Sequence, residues 1–467
     1  MRKIVVSIFA LLVSSMTLMA ERVSREDASL VANHFMNIAA PSSADGVKRI
    51  APAKRMVLKQ TSAQTENQYY VYENENGEGW VIISANDAVR PILAYSETGH
   101  FPIENMPSNL RKWMGKYDSF ISRIETDNVE ASEETQALWD ELRQDIRRAQ
   151  AAVVVGPLIK TQWDQDTPFN NFCPGYGSNK AYTGCVATAM AQVMKYWEWP
   201  INGTGSHSYK PLDVNEPYDE WTGEPNYSQR YTSTLSANFE TTTYDWENMI
   251  NDYSGSYNNT QRNAVATLMY HCGVATEMMY GNDADGGSGT FTLNYDEWDT
   301  NDNAQNAFYK FFKYKKPVGY MRDGYKYGGH TYYRKWSDAD WTAMVKEELD
   351  KHRPIMYGGA SDEGGHSFIC DGYNSSDYFH FNWGWSGDGD GYFSLSNLNP
   401  GSGGAGGGNY SFSEDQDVLI GIEPDRQEPE AIENIETTTS VQKTIYNGMV
   451  VIVRDNILYD LMGQKIQ

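Results

Sequence analysis

Apolar side chains recur every three or four residues along residues 183–197, the most regular pattern in the chain. The members that share one helical face are Val186, Ala189, Met190, Val193, Met194 and Trp197. This spacing predicts an amphipathic helix, and the Ala, Met and Gln residues within it favour the same structure. The helix would begin at Cys185, directly after Gly184, and Pro200 marks its far limit.

The pattern before this helix predicts a small unit of helices and strands. Residues 21–36 are expected to form a short helix, and residues 68–96 a β-meander with an Asn-Gly turn. Two helices follow. Ser108 is expected to cap the first, while the second starts near Ser132 and ends with the arginines at 147–148.

Beyond a short linker the chain becomes rich in Trp, Tyr, Gly and Asn. Further helices are predicted at residues 261–279 and 338–352, the latter capped by Ser337. We expect surface loops at 201–243 and a flexible loop at the Gly-rich residues 401–408. Strand-like runs occupy residues 354–357, 366–371, 378–383 and 391–395.

The N-terminus has the composition of a signal peptide. Arg2 and Lys3 precede an apolar run, and Ala20 suits the cleavage point, so residues 1–20 are predicted to direct export. No later run reaches the roughly 18–20 apolar residues that span a bilayer. The sequence therefore predicts an exported protein without stable membrane insertion, either secreted or associated with the cell surface or outer membrane.

Length and charge narrow the class of protein. A chain of 467 residues has room for two or three domains, and 13% aromatic residues exclude a disordered one. It carries 38 Lys and Arg against 62 Asp and Glu, a net charge of −24. Because phosphate binding needs clustered cations, this balance argues against nucleic acid or anionic lipid as a partner.

Cys185 is the candidate nucleophile. At the start of a helix, unpaired N–H groups and the helix dipole stabilise an anion, so this placement is expected to lower the thiol pKa. The alternative is a buried cysteine that merely begins a core helix. Besides Cys185 the chain has three cysteines, which allow at most one disulfide beside a catalytic thiol, and none has zinc-site spacing.

A cysteine nucleophile needs a base, and two of the eight histidines follow a Gly-Gly pair. His366 opens an apolar strand that would hold the imidazole on a rigid scaffold. His330 stands in a less regular segment and ranks second. Upstream, Gln165 offers an amide that could reach an oxyanion near Cys185 together with that residue's own N–H.

Three segments, TGCVATAMAQVMKYW, GGHSFICDGY and NWGWSGDGDGYF, resemble the signature segments of the streptopain family of papain-like cysteine peptidases, and WDQDTPFN and YDWENM extend the likeness. The resemblance implies that Cys185 is the nucleophile and His366 its base. It implies that Gln165 supplies the oxyanion-hole amide and that Trp383 takes the place of an orienting asparagine. Asn382 precedes Trp383 and belongs to the same candidate set.

The resemblance also implies an α+β fold in which a helical part carries the cysteine and an antiparallel β part carries the histidine. The expected organisation is a signal peptide at 1–20, a small α+β inhibitory pro-domain at 21–152 and the papain-like catalytic domain at 153–425. Residues 426–467 would be a linker and a partial β segment that is similar to sorting domains for surface proteins.

The function implied is that of a secreted cysteine endopeptidase, made as a zymogen and activated by a cut between about residues 147 and 160. Its partners would be protein or peptide substrates and its own pro-domain, without cofactor or metal. The aromatic residues favour an apolar pocket for the substrate side chain beside the scissile bond.

Two other function classes are open at this point. A secreted binding protein would use the aromatic residues to hold glycans or proteins, and a transglutaminase-type enzyme would use the same Cys/His chemistry for acyl transfer. Residues 283–286 and 388–391 carry alternating Asp and Gly but lack the full spacing of a calcium loop, so we interpret them as turns.

Overall fold

The computed structural model describes residues 21–37, 54–61, 68–144, 151–176, 179–219, 221–282, 285, 287–294, 303–327, 330–359, 366–395, 416–426, 442–446, 449–454, 457–459 and 466. Several expectations concern residues outside these ranges. They are the signal peptide at 1–20, the arginines at 147–148, most of the turn at 283–286 and the Gly-rich loop at 401–408.

The N-terminal part combines a meander with helices, as its periodicity predicts. Its elements are α1 (Arg25–Met36), β1 (Met56–Thr61), β2 (Tyr69–Asn74), β3 (Trp80–Ser84), β4 (Ile92–Ser96), α2 (Ser108–Thr126) and α3 (Glu133–Arg143). The predicted start of α3 near Ser132 is confirmed, and the Ser132 hydroxyl caps this helix by accepting a hydrogen bond from the Thr135 N–H at 3.1 Å. The predicted cap of α2 is wrong. Pro107 already has the extended backbone of a cap residue, so Ser108 is the first residue of the helix.

The remainder up to Pro424 contains the predicted catalytic elements. The helices are α4 (Cys185–Trp197), α5 (Asn259–Ala275), α6 (Ala304–Phe311) and α7 (Asp338–Asp350). The strands are β5 (Val153–Val155), β6 (Gly175–Tyr176), β7 (Asn179–Lys180), β8 (Ser206–Tyr209), β9 (Leu235–Asn238), β10 (Val318–Met321), β11 (Tyr325–Tyr327), β12 (His330–Tyr333), β13 (Ile355–Gly359), β14 (His366–Asn374), β15 (Tyr378–Asn382), β16 (Gly391–Ser394) and β17 (Gln416–Ile420).

One antiparallel sheet connects the two parts. Its strands follow the order β1-β2-β3-β4-β16-β15-β14-β13-β17-β10, and β5 pairs with the outer half of β14. The junction is the β4–β16 ladder, in which Tyr95 lies opposite Tyr392 and Ala94 opposite Phe393. The described residues up to Pro424 accordingly form one compact unit.

The two faces of the sheet bury different cores. On one face Met356, Ile369 and Leu419 pack with the buried side of α4. On the other, Tyr357 and Phe368 pack with Trp113 of α2 and with the aromatic side chains of β15 and β16. Alternate residues of one strand therefore face the helix that carries Cys185 and the helix from the N-terminal part.

Residues 425–467 form a second unit. Its described strands are β18 (Gln442–Tyr446), β19 (Met449–Arg454) and β20 (Ile457–Tyr459), which pair antiparallel in that order. This agrees with the amphipathic β pattern of the tail. Within the described part of the chain, no helix combines the length and apolar character needed to cross a membrane.

Candidate active site

Helix α4 places Cys185 at its first residue, as the sequence predicts. Gly184 directly before it has φ 87°, and a Cβ there would lie 2.6 Å from the Met278 side chain. Glycine is therefore required both by the backbone conformation and by the space available. Cys185 is 8% exposed, at the point where α4 meets the sheet.

The start of β14 lies directly against this thiol. The backbone N–H of Ser367 donates to the Cys185 sulfur at 3.4 Å. His366 is the preceding residue and opens β14 opposite Gly359. The predicted base, His366, therefore directly precedes the residue whose N–H contacts the sulfur of the predicted nucleophile. The His366 side chain is outside the described part, so its pairing with the thiol stays a prediction.

The environment of Cys185 differs from the expectation drawn from the helix N-terminus alone. Burial raises the thiol pKa, and it outweighs the opposing effects of the Ser367 and Val186 N–H groups and of the Lys112 ammonium. The helix N-terminus does stabilise the thiolate, but in this arrangement the thiol has little contact with water. The predicted net lowering of the pKa is therefore wrong for the chain with its N-terminal part in place.

Gln165 lies beside the approach to α4. Its carbonyl accepts a hydrogen bond from the Thr183 N–H at 2.9 Å, two residues before Cys185. Its own N–H donates to the Asp164 carboxylate at 2.6 Å, and the residue is 5% exposed. The backbone contacts hold Gln165 near the nucleophile. Its part in an oxyanion hole stays a prediction.

Trp383 is fully buried and follows the end of β15. Its indole N–H donates to the Gly389 carbonyl at 3.0 Å, and its ring centroid lies 4.5 Å from that of Phe368. Phe368 stands two residues after His366, on the same side of β14. Trp383 is thus fixed next to the strand that carries the predicted base, which is compatible with an orienting role.

The Asn382 side chain makes hydrogen bonds to three segments around the candidate site. Its amide nitrogen donates to the Thr161 carbonyl at 2.9 Å. Its oxygen accepts from the Gln192 side chain of α4 at 3.0 Å and from the Gly384 N–H at 3.1 Å. Asn382 therefore ties α4, the segment before it and the β15 turn together. We infer that Asn382 positions these elements and takes no direct part in the reaction.

The other described histidines have structural partners. His271 is buried against the Tyr244 hydroxyl at 3.0 Å, and burial lowers its pKa to about 4. His207 bonds Glu277, and His380 bonds Asp371 at 2.6 Å. The second-ranked His330 opens β12, and its side chain is outside the described part. All four cysteines are unpaired thiols.

The turn at 388–391 is confirmed as a turn. The Asp388 N–H donates to the Trp385 carbonyl at 2.8 Å, and the Asp390 N–H to the Gly387 carbonyl at 3.2 Å. Asp390 accepts the Trp383 N–H at 2.9 Å, so this carboxylate orders the turn. Within the ranges that the structure describes, no three His, Cys, Asp or Glu side chains converge as metal ligands would.

Sequence reasoning missed Asn109, which belongs to the N-terminal part but contacts the candidate site. Its amide nitrogen donates to the Trp383 carbonyl at 2.8 Å. Four residues on, Trp113 packs its ring against that of Trp383, at 6.2 Å between centroids. The i,i+4 spacing puts both on one face of α2. The apolar stripe of that helix was visible in the sequence, but not what it covers.

Comparison with known proteins agrees with this arrangement. A family model described as the Peptidase C10 family matches residues 163–393, and one described as Spi protease inhibitor matches residues 20–121. Streptopain of Streptococcus pyogenes serotype M1 is 31% identical over 328 residues, which are 67% of this chain and 69% of streptopain. The chain belongs to the peptidase C10, or streptopain, family of cysteine endopeptidases. In this family context, the N-terminal part is a Spi-type inhibitor domain attached to its protease.

Two further relatives of this family are similar over longer stretches. The thiol protease/hemagglutinin PrtT of Porphyromonas gingivalis is 31% identical over 442 residues, 92% of this chain but 45% of PrtT. The chain thus spans less than half of that relative. The structure of a Prevotella intermedia prointerpain A fragment matches with TM-score 0.57 and 31% identity, covering 79% of this chain and 98% of the fragment. The α+β papain-like fold is confirmed, and family membership disfavours a non-catalytic binding protein.

Proposed function

We propose that this chain is the exported zymogen of a cysteine endopeptidase in which Cys185 and His366 form the catalytic pair. The observation that carries the proposal is the Ser367 N–H bond to the Cys185 sulfur, which joins the start of β14 to the start of α4. Each histidine whose side chain is described makes its polar contact with a residue other than Cys185.

The chemistry follows from these positions. The Cys185 thiolate attacks the scissile carbonyl, and the His366 imidazolium gives its proton to the leaving amine. The Gln165 amide and the Cys185 N–H donate to the tetrahedral oxyanion. Water, deprotonated by His366, then attacks the acyl-enzyme carbonyl and releases the second product and the free thiol.

The inhibitor domain of the same chain would keep the protease inactive, because one of its helices lies next to the candidate site. Asn109 and Trp113 of α2 contact Trp383. Lys112 of the same helix lies close enough to Cys185 for its positive charge to lower the pKa of the thiol. A domain in this place would hinder substrate access to the thiol. We propose that its removal uncovers the cleft and that protein or peptide chains are the substrates.

The linker between the two parts is the proposed processing zone. Val153 and Val154 of β5 are 57% and 51% exposed, so a protease could reach them. Directly after β5, the Leu158 and Ile159 N–H groups bond to Asp371 of β14, at 3.0 and 2.8 Å, and fix the chain to the catalytic sheet. A cut before these bonds, within residues 147–160, would break the covalent connection between the domains without loosening the catalytic part. The domain boundary at 152/153 remains part of this proposal.

Export by residues 1–20 and delivery to the medium or the cell surface complete the proposal. The signal-peptide composition supports export. The three-stranded tail unit is compatible with the sorting-like segment expected at 426–467.

The test compares the purified full chain with Cys185→Ala under reducing conditions, followed by gel mass and by labelling with a thiol-directed epoxide. We expect only the native chain to yield a labelled species of about 30–35 kDa, the size of the catalytic domain. Cys173→Ala is the matched control, because burial raises the pKa of that thiol to about 12 and it should not react. If the catalytic domain stays unlabelled even after the linker has been cut and the inhibitor domain has been removed from it, the nucleophile assignment is refuted.

A further inference from the structure

One buried carboxylate near the candidate site has no role in the chemistry above. Asp417 of β17 is 6% exposed, and its Oδ1 is fully buried without a hydrogen-bond partner among the described residues. A buried carboxylate oxygen that lacks a hydrogen-bond partner is costly, since its charge loses the solvation of water. Such a group calls for an explanation in terms of what it meets in the working enzyme.

Strand register places Asp417 close to the nucleophile. Gly358 of β13 lies opposite Ser367 of β14 on one side and opposite Asp417 of β17 on the other. Residues directly opposite each other in an antiparallel ladder point to the same face, and neighbouring strands lie about 5 Å apart. Asp417 is therefore two strands from Ser367, the residue whose N–H contacts Cys185.

The face in question is the one that carries the cysteine. Two residues along the same three strands, Met356, Ile369 and Leu419 pack with α4. The row Ser367–Gly358–Asp417 continues this face toward the end of the sheet where α4 begins. A substrate chain held for attack by Cys185 would pass over this row.

A glycine leaves room for the carboxylate. A Cβ at Gly358 would lie 2.4 Å from the Asp417 Oδ1, so the acid group leans over the glycine toward Ser367. The surroundings are polar on this side, since the Ser367 and Thr292 hydroxyls bond each other and Tyr333 donates to the Asn294 carbonyl. Any larger residue at 358 would fill the space that Asp417 uses.

The charges around Asp417 point to a cation. Burial raises the pKa of Asp417 to about 7, and the opposing charge is the Lys116 ammonium of α2. The Asp417 charge, after burial, also raises the pKa of Tyr333, to about 12. Lys116 belongs to the inhibitor domain, so removal of that domain takes this positive charge away. Among the described residues, Lys116 is the charge that opposes Asp417, and the mature enzyme would lack it.

We propose that Asp417 forms a subsite that binds a basic side chain, Lys or Arg, at one of the two substrate positions before the scissile bond. In the precursor, Lys116 supplies the positive charge that the substrate supplies later. This rests on the endopeptidase function proposed above, and it replaces the purely apolar pocket that the aromatic composition favours. A charged pair in a site shielded from water discriminates strongly against a neutral side chain.

The test uses mature enzyme obtained from the full chain by its own processing. The substrates are fluorogenic peptides of one length that carry Arg, norleucine or Glu at either of the two positions before the scissile bond. The native enzyme should prefer Arg to norleucine at one position. Asp417→Asn, and Asp417→Ser as a second variant in case the first folds poorly, should lower the Arg-to-norleucine ratio of kcat/KM by about 10-fold or more.

Glu247→Gln is the control, because it removes one exposed negative charge and should leave the ratio unchanged. The subsite is refuted if the native enzyme cleaves norleucine peptides but does not favour Arg at either position. It is also refuted if both Asp417 variants keep the native ratio. If the enzyme cleaves no peptide and the epoxide does not label Cys185, the proposed function fails together with the subsite.

Discussion

At the scale of single residues, the candidate site combines groups that we propose to act on the substrate with groups that hold the surrounding segments together. Gln165 and Asn382 illustrate the difference, because both are buried amides near α4. All the described contacts of Gln165 involve its backbone, whereas the Asn382 side chain makes three hydrogen bonds. Among the described contacts, the amide of Gln165 is thus left for a ligand, whereas that of Asn382 already makes three of the four hydrogen bonds that an amide can form.

Replacing Gln165 with alanine should therefore slow the reaction without loosening the fold. Loss of one oxyanion donor typically lowers kcat about 10²–10³-fold. We expect this loss in steady-state hydrolysis of a peptide, with the melting temperature and epoxide labelling of Cys185 close to those of the native enzyme.

Asn382→Ala is the matched comparison. It would leave the Thr161 carbonyl and the Gln192 amide without their partner, which should lower the free energy of unfolding by about 3 kcal/mol. A Gln165→Ala variant that loses stability to the same extent, or that keeps its full kcat, would contradict the oxyanion role.

At the scale of elements, the sequence predicted the features that depend on neighbouring residues, such as the caps of helices. Helix α7 begins after Ser337, whose hydroxyl accepts the Asp340 N–H at 3.1 Å, and this cap was readable from the sequence. The hairpin of β8 and β9 was not, because its four-residue strands lie in a polar stretch and pair across a long loop. Contacts such as that of Asn109 with Trp383 join residues 274 positions apart, and no periodicity reports them.

The same limit applies to charges. Cys185, His366 and Gln165 became candidates because motif and spacing point to them, while Asp417 looks like any polar residue of an amphipathic strand. Its importance depends on strand register, on the glycine opposite it and on burial. These properties exist only once β13, β14 and β17 are paired.

Asp390, directly before β16, is a titrating group that should make stability depend on pH. It lies close to a pair of interacting residues on the neighbouring strands. Asp371 of β14 accepts the Ile159 N–H and bonds His380. Burial raises the pKa of the neighbouring Asp390 to about 7, against the opposing charge of His380. Asp371 and Asp388 are the other charges that act on Asp390, and both raise its pKa.

Asp390→Asn should accordingly stabilise the protein more at high pH than at low pH. With a folded pKa of about 7 and an ordinary value of 3.8, the folded state binds a proton that the unfolded state has released. Stability is therefore lost as pH rises through this window, and asparagine removes the loss while still accepting the Trp383 N–H.

Thermal melting at pH 5 and pH 8, in the Cys185→Ala background that prevents processing, checks this expectation. The gain in melting temperature from Asp390→Asn should be larger at pH 8. An exposed change of the same kind, Asp140→Asn in α3, should show no such difference. An equal effect of Asp390→Asn at both pH values would argue against the raised pKa.

At the scale of the whole molecule, the inhibitor domain and the protease share one sheet and one aromatic core. Across the β4–β16 junction, the Tyr378 hydroxyl donates to the Ile92 carbonyl at 2.9 Å and the Asn374 amide to the Tyr95 hydroxyl at 2.8 Å. Together with the β4–β16 ladder, these hydrogen bonds should hold the inhibitor domain on the protease even after the linker is cut. Release of the inhibitor therefore depends on more than cleavage, and the α2 contact is the part nearest to the site.

Trp113 should be the anchor of that contact. It is 3% exposed, and its ring lies against those of Tyr357, Phe368, Phe381 and Trp383. Truncating a buried tryptophan to alanine typically costs about 3–5 kcal/mol. We expect Trp113→Ala to speed conversion of the precursor at least about 10-fold, because the domain that covers Cys185 is held less tightly.

A second readout separates loss of the anchor from general unfolding. In the Cys185→Ala background, trypsin cuts the linker and gel filtration reports whether the two parts stay together. The native pair should co-elute and the Trp113→Ala pair should separate, whereas Ser119→Ala on the exposed side of α2 should behave like the native chain. If Trp113→Ala still co-elutes and matures at the native rate, the β4–β16 junction alone holds the inhibitor, and α2 only covers the site.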